Sequence, residues 1–164
     1  MEPMELIEFL LTWEPAEGER FDGPSVRGLS ESLKQLLAGD CPTASVILAH
    51  LSENVATIPQ YAAAGLRGIA TRLKEEGVAS FPRRESIELL RAALSVEPSS
   101  ESLTLRKEAI RILVSICVSP LLPQEALDDV VCLSELAVAT SARWSNCDAR
   151  EFRDLDALAS GAMN

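Results

Sequence analysis

The feature that most constrains this chain is a phrase that returns about every 40 residues. Val26-Arg27, Leu66-Arg67, Leu105-Arg106 and, more weakly, Ala149-Arg150 each join an apolar residue to an arginine inside a helix-compatible segment. A second marker keeps step with the first. Pro42, Pro82 and Pro123 open alternate segments at spacings of 40 and 41, and proline is well placed at the first position of a helix, where its missing N–H costs nothing. Two markers in phase point to a stack of helical hairpins, because a hairpin of two amphipathic helices buries both its apolar stripes only against neighbours.

Within this frame the spacing of apolar residues predicts eight helices and no strand. The segment Ser102–Val118 (SLTLRKEAIRILVSICV) shows it best: Leu105, Ala109, Ile112, Leu113 and Ile116 recur at three and four residues and stack on one side. Arg106, Lys107 and Arg111 are expected on the other sides. Helices are likewise expected over Met4–Trp13, from Pro24 to a stop at Gly39, and from Pro42. Others start at Pro59, Pro82 and Pro123, and a last one at Asp148 after the Ser145-Asn146-Cys147 break. Ser99-Ser100 supplies an N-cap for the Ser102–Val118 helix. The expected fold is all-α: four antiparallel hairpins, 1–39, 40–80, 81–121 and 122–164, stacked as a right-handed α-solenoid in one domain. Composition agrees. Hydrophobic residues are 47% of the 164 and aromatics only 4%, a balance suited to aliphatic helix packing rather than a β-sandwich. A chain this long buries roughly 70% of its unfolded surface without needing a staple.

The charge is −10 and uneven. Residues 1–23 hold seven acids against Arg20, and 123–164 hold eight acids against three arginines, so 24–122 is close to neutral. Nucleic acid is disfavoured as a general partner, since neutralising phosphates needs a basic surface. No apolar run approaches the ~20 residues needed to span a bilayer, and no basic n-region marks a secretory signal. A cytoplasmic protein without membrane contact is expected.

The segments resemble HEAT and armadillo-type helical repeats, in which the second helix of a hairpin opens on an apolar–Arg pair with Ala three residues after the Arg. Leu105-Arg106-Lys107-Glu108-Ala109 and Leu66-Arg67-Gly68-Ile69-Ala70 match, Val26-Arg27-Gly28-Leu29-Ser30 is close, and Ala149-Arg150-Glu151-Phe152-Arg153 departs at the Ala. The family's Asp at the end of the first helix has no counterpart here, which leaves a ladder of Asp–Arg pairs without its acids. The resemblance implies a non-catalytic scaffold or adaptor that presents a groove lined by second helices to a protein partner or to a subunit of a larger complex. Arg67, Arg72, Arg106, Lys107 and Arg111, with Lys74 beside them, are the expected contact residues. An acidic inhibitor acting through Glu2–Asp22 or the C-terminal acids on a basic partner is a second reading. A HEAT-like enzyme such as a DNA glycosylase is a third, against which the charge argues.

Residues that carry chemistry are sparse. His50 is the single histidine, and its H-x-x-E spacing to Glu53 lacks the second His a di-metal bundle requires. There is no G-x-S-x-G, P-loop or G-x-G-x-x-G. No catalytic residue, metal site or cofactor is expected. Cys41, Cys117, Cys132 and Cys147 form no C-x-x-C pair and read as buried, reduced thiols. Asp128, Asp129, Asp148, Glu151, Asp154 and Asp156 lack the alternation of a calcium loop. Gly65 and Gly68 fall inside a helix, where each costs roughly 1 kcal/mol relative to Ala, so close helix packing is their expected use. Trp13 and Trp144 are read as lids over the ends of the core.

Overall fold

The computed structural model describes residues 3–13, 25–39, 43–76, 83–117 and 124–144. Among them are seven helices and no strand: α1 (Pro3–Thr12), α2 (Val26–Ala38), α3 (Ala44–Glu53), α4 (Pro59–Glu76), α5 (Arg83–Ser95), α6 (Ser100–Cys117) and α7 (Gln124–Trp144). The all-α expectation holds. The helix expected from Asp148 lies outside the described residues. None of the described helices is long and apolar enough to cross a membrane.

Local chemistry sets the helix ends. Ser25 caps α2, its hydroxyl accepting from the Gly28 N–H at 3.0 Å, one residue past the proline expected to open this helix. At α6 the cap is reciprocal. Ser99 Oγ accepts from the Ser102 N–H at 3.0 Å, while Ser102 Oγ accepts from the Ser99 N–H at 2.9 Å, a capping box with Ser standing where Glu or Gln is usual. The α3–α4 connection is closed by Asn54, whose amide donates to the His50 carbonyl at 2.9 Å, and it tucks Val55 and Ile58 into the core.

The helices sort into two layers by their contacts. In one, α2 packs on α4 and α4 on α6. In the other, α1 packs on α3, α3 on α5 and α5 on α7. Each apolar stripe faces the seam between layers, so the core is aliphatic: Leu33, Leu37, Ile47, Leu48, Leu51, Leu66, Leu89, Leu90, Leu105 and Ile112 are all buried. Helix α4 is enclosed most fully. Its run Tyr61-Ala62-Ala63-Ala64-Gly65-Leu66 is buried throughout, and its small side chains let neighbours approach on several sides.

Gly68 shows why a helix interior keeps a costly residue. A Cβ there would stand 2.8 Å from the Lys34 carbonyl oxygen and 2.9 Å from Leu37 Cβ, so the glycine lets α4 press its backbone against α2. A Cβ on Gly65 would meet Leu51 Cδ1 at 2.8 Å, the movable tip of a side chain. Close packing, not ligand binding, accounts for both.

Other expectations need correction. Cys117 and Cys132 are exposed free thiols, because Cys117 ends α6 and Cys132 lies on the outward side of α7. Cys41 and Cys147 lie outside the described residues. The two tryptophans divide. Trp144 is fully buried, whereas Trp13 is half-buried beside Phe9, their ring centroids 6.5 Å apart.

Candidate functional site

The layer of α2, α4 and α6 carries two depressions on its outer side. The larger, about 680 Å³, is open and lined by Arg27 and Glu31 of α2, Gln60 and Arg67 of α4, and Glu101 and Thr104 of α6. The smaller, about 260 Å³, lies between Lys34, Arg67, Thr71, Lys74, Glu108 and Arg111. Arg67 borders both and joins them into one groove across three helices.

Glu108 is the centre of the smaller depression. Its side chain is only 15% exposed, and its two carboxylate oxygens face Arg67 Nη1 at 3.6 Å and Arg111 Nη1 at 3.9 Å. Those separations give charge attraction without a hydrogen bond. On the α2 side, Lys34 Nζ donates to Glu31 Oε1 at 3.0 Å. That bond is the main reason the Glu31 carboxyl titrates below its usual 4.5.

The five residues expected on the contact face separate into three groups. Arg67 and Arg111 meet across Glu108. Lys107 is half-buried on the same helix and lines neither depression. Arg72 and Arg106 are buried, with 8% and 1% exposure. Both are taken out of the contact set because their forks serve the fold. Arg72 Nη1 donates at 3.3 Å to the carbonyl of Gly39, the C-cap of α2, where the open carbonyls and the helix dipole favour a cation.

Arg106 holds three helices together. Its Nη1 donates to the Leu94 carbonyl in the last turn of α5 at 3.0 Å and to Thr140 Oγ1 of α7 at 2.8 Å. Its Nη2 donates to the Ala137 carbonyl at 2.9 Å. The guanidinium carbon lies 5.1 Å from the centre of the Trp144 ring, within cation–π range. Desolvation lowers its pKa to about 10, which leaves it charged at neutral pH. Trp144 Nε1 beside it is buried with no acceptor among the described residues.

Among the groove residues that sequence reasoning misses, Gln60 and Thr104 included, is Lys34. A signal for it exists, since Lys34 and Lys74 stand 40 residues apart, in step with the repeat. His50 Nδ1 faces Glu53 at 3.4 Å on α3, away from the groove. Among the described residues no three His, Cys, Asp or Glu side chains gather in a group that would hold a metal ion. No family model matches the chain, and neither a curated protein nor a solved structure matches it.

Proposed function

We propose that this chain is a non-catalytic protein-interaction module: a short α-solenoid of HEAT/armadillo-like hairpins that receives a segment of a partner protein along the α2–α4–α6 face. One observation carries the reading. Three successive helices of one layer turn their polar sides to a common groove, and Arg67 in its middle touches both depressions. Stacked hairpins of this kind create extended surfaces fitted to chain segments rather than closed pockets for small substrates. The smaller depression sets Lys34, Arg67, Lys74 and Arg111 against Glu108, which gives it a field of its own against the −10 of the whole chain. A cytosolic setting suits the two exposed thiols, which a reducing compartment keeps free.

Photo-crosslinking tests this in cells. A photoreactive residue at Thr104 or Thr71 should capture a protein, and the same residue at Val46, exposed on the other layer, should not. Charge reversal by Arg67→Glu with Arg111→Glu should abolish the adduct. Capture from Val46 alone, or adducts that nuclease removes, would overturn the reading.

A further inference from the structure

We propose that the smaller depression is a phosphate pocket, and that its occupant is a phosphorylated side chain of the partner segment. This rests on the reading of the groove as a protein-binding face and names the chemistry it recognises.

The argument starts from unused donors. Each guanidinium offers a rigid fork of N–H groups matched to an oxyanion. Arg67 and Arg111 point theirs at one carboxylate, yet at 3.6 and 3.9 Å neither is hydrogen-bonded to it. Two forks therefore flank the pocket with their donors unspent. Arg106 and Arg72, elsewhere in the same fold, spend theirs on carbonyls.

Charge selects the ligand. Lys34, Arg67, Lys74 and Arg111 face the carboxylates of Glu31 and Glu108, so the local surplus is two positive charges. A phosphate monoester carries close to two negative charges at neutral pH, with a second pKa near 6. It neutralises the surplus and brings three strong acceptor oxygens. A single carboxylate satisfies one fork and leaves the surplus half unmet. A long polyanion is excluded for a different reason. Attraction reaches only about 8 Å at physiological salt, so it would lie mostly against the acidic remainder of the molecule. Size fits as well, since about 260 Å³ admits a phosphoryl group and its linking atoms. Thr71 Oγ1, which donates to the Arg67 carbonyl at 3.0 Å, and Ser115 Oγ, which donates to the Arg111 carbonyl at 2.9 Å, sit on the walls, and each would donate to a phosphate oxygen only by turning its proton from that carbonyl.

The test is an NMR titration of the full chain that follows the Arg67 and Arg111 Nε–Hε signals. The probes are inorganic phosphate, an Ala-Ala-phosphoSer-Ala-Ala peptide, its unphosphorylated form, and acetate at matched ionic strength. Both arginine signals should move with inorganic phosphate, with a Kd of about 1–10 mM. The phosphopeptide should bind at least tenfold more tightly, and binding should strengthen from pH 5 to 7 as the second proton leaves. Arg67→Gln should remove the response, and Arg84→Gln on α5 should leave it intact. Glu108→Gln should tighten phosphate binding several-fold, an outcome that misfolding cannot imitate. Equal response to acetate and phosphate, or no gain with Glu108→Gln, overturns the phosphate assignment while groove crosslinking still stands. Equal affinity for free phosphate and the phosphopeptide overturns the partner-borne source. Phosphate binding without any groove crosslink overturns the reading beneath it.

Discussion

Arg67 and Arg106 each follow a buried leucine, 39 residues apart in the same repeated phrase, and they meet opposite fates. Arg67 is about one-third exposed and makes no hydrogen bond to its nearest acid. Arg106 is sealed in, with two carbonyls, a hydroxyl and a tryptophan ring around it. What seals Arg106 in comes from the neighbouring layer. Helix α5 has 13 residues and α7 has 21, and the added turns of α7 carry Ala137, Thr140 and Trp144 over the guanidinium. Arg67 instead borders depressions lined by α2, α4 and α6, and its nearest acid is Glu108 of α6. Two arginines that share a phrase therefore differ in burial according to what distant helices place around them.

The largest expected effect tests that contrast. Arg106→Met removes the charged donor to two carbonyls and a hydroxyl and the cation over Trp144, a loss of about 3–5 kcal/mol. At roughly 2–4 °C per kcal/mol for a chain of this length, Tm should fall by about 6–20 °C. Arg67→Gln removes only a loose, part-exposed pair and should stay within about 0.5 kcal/mol. Urea unfolding of the two variants decides the matter. Equal loss in both would break the distinction between buried and groove arginines.

How much of this was legible in the sequence follows from the same contrast. The helices were legible because apolar spacing and proline, glycine and serine at their ends report on the chain's own neighbours. The use of Gly65 and Gly68 was legible too, since a glycine kept in a helix implies a close approach. The side a polar residue faces is decided by elements remote in sequence. Nothing within a turn of Arg106 foretells the extension of α7, and nothing near Lys34 foretells Arg67. Cys117 and Cys132 misled for that reason: an apolar stretch around a thiol does not say which side of the helix it takes.

A smaller effect comes from the contact beneath the pocket. Gly68→Ala should gain about 1 kcal/mol of helix propensity. It drives a methyl to within 2.8 Å of the Lys34 carbonyl oxygen and 2.9 Å of Leu37 Cβ, an overpacking cost of about 1–3 kcal/mol. The net expectation is a loss of about 0–2 kcal/mol, read by thermal unfolding. Because α2 carries Lys34, the same change should move that lysine away from Arg67 and weaken phosphate binding. A stabilised variant with unchanged phosphate affinity would show that α2 stands farther from α4 than its Gly68 contact implies.

The smallest effect is a titration. Glu31 titrates below 4.5 chiefly because Lys34 donates to it. A carboxyl with a lowered folded-state pKa contributes stability above its unfolded value, and that contribution is lost as pH falls through the lowered one. Lys34→Met should therefore raise the Glu31 midpoint toward 4.5, followed by the carboxyl carbon shift in NMR, and flatten this part of the acid limb. Phosphate should do the same in the unmutated chain if Lys34 turns from Glu31 to the ligand. A Glu31 midpoint that saturating phosphate leaves unmoved would keep Lys34 on its own helix. The pocket would then rest on Arg67, Lys74 and Arg111, with Glu108 as the single acid opposing them. The surplus they face would still be two, so the charge match survives while the reach of the groove onto α2 does not.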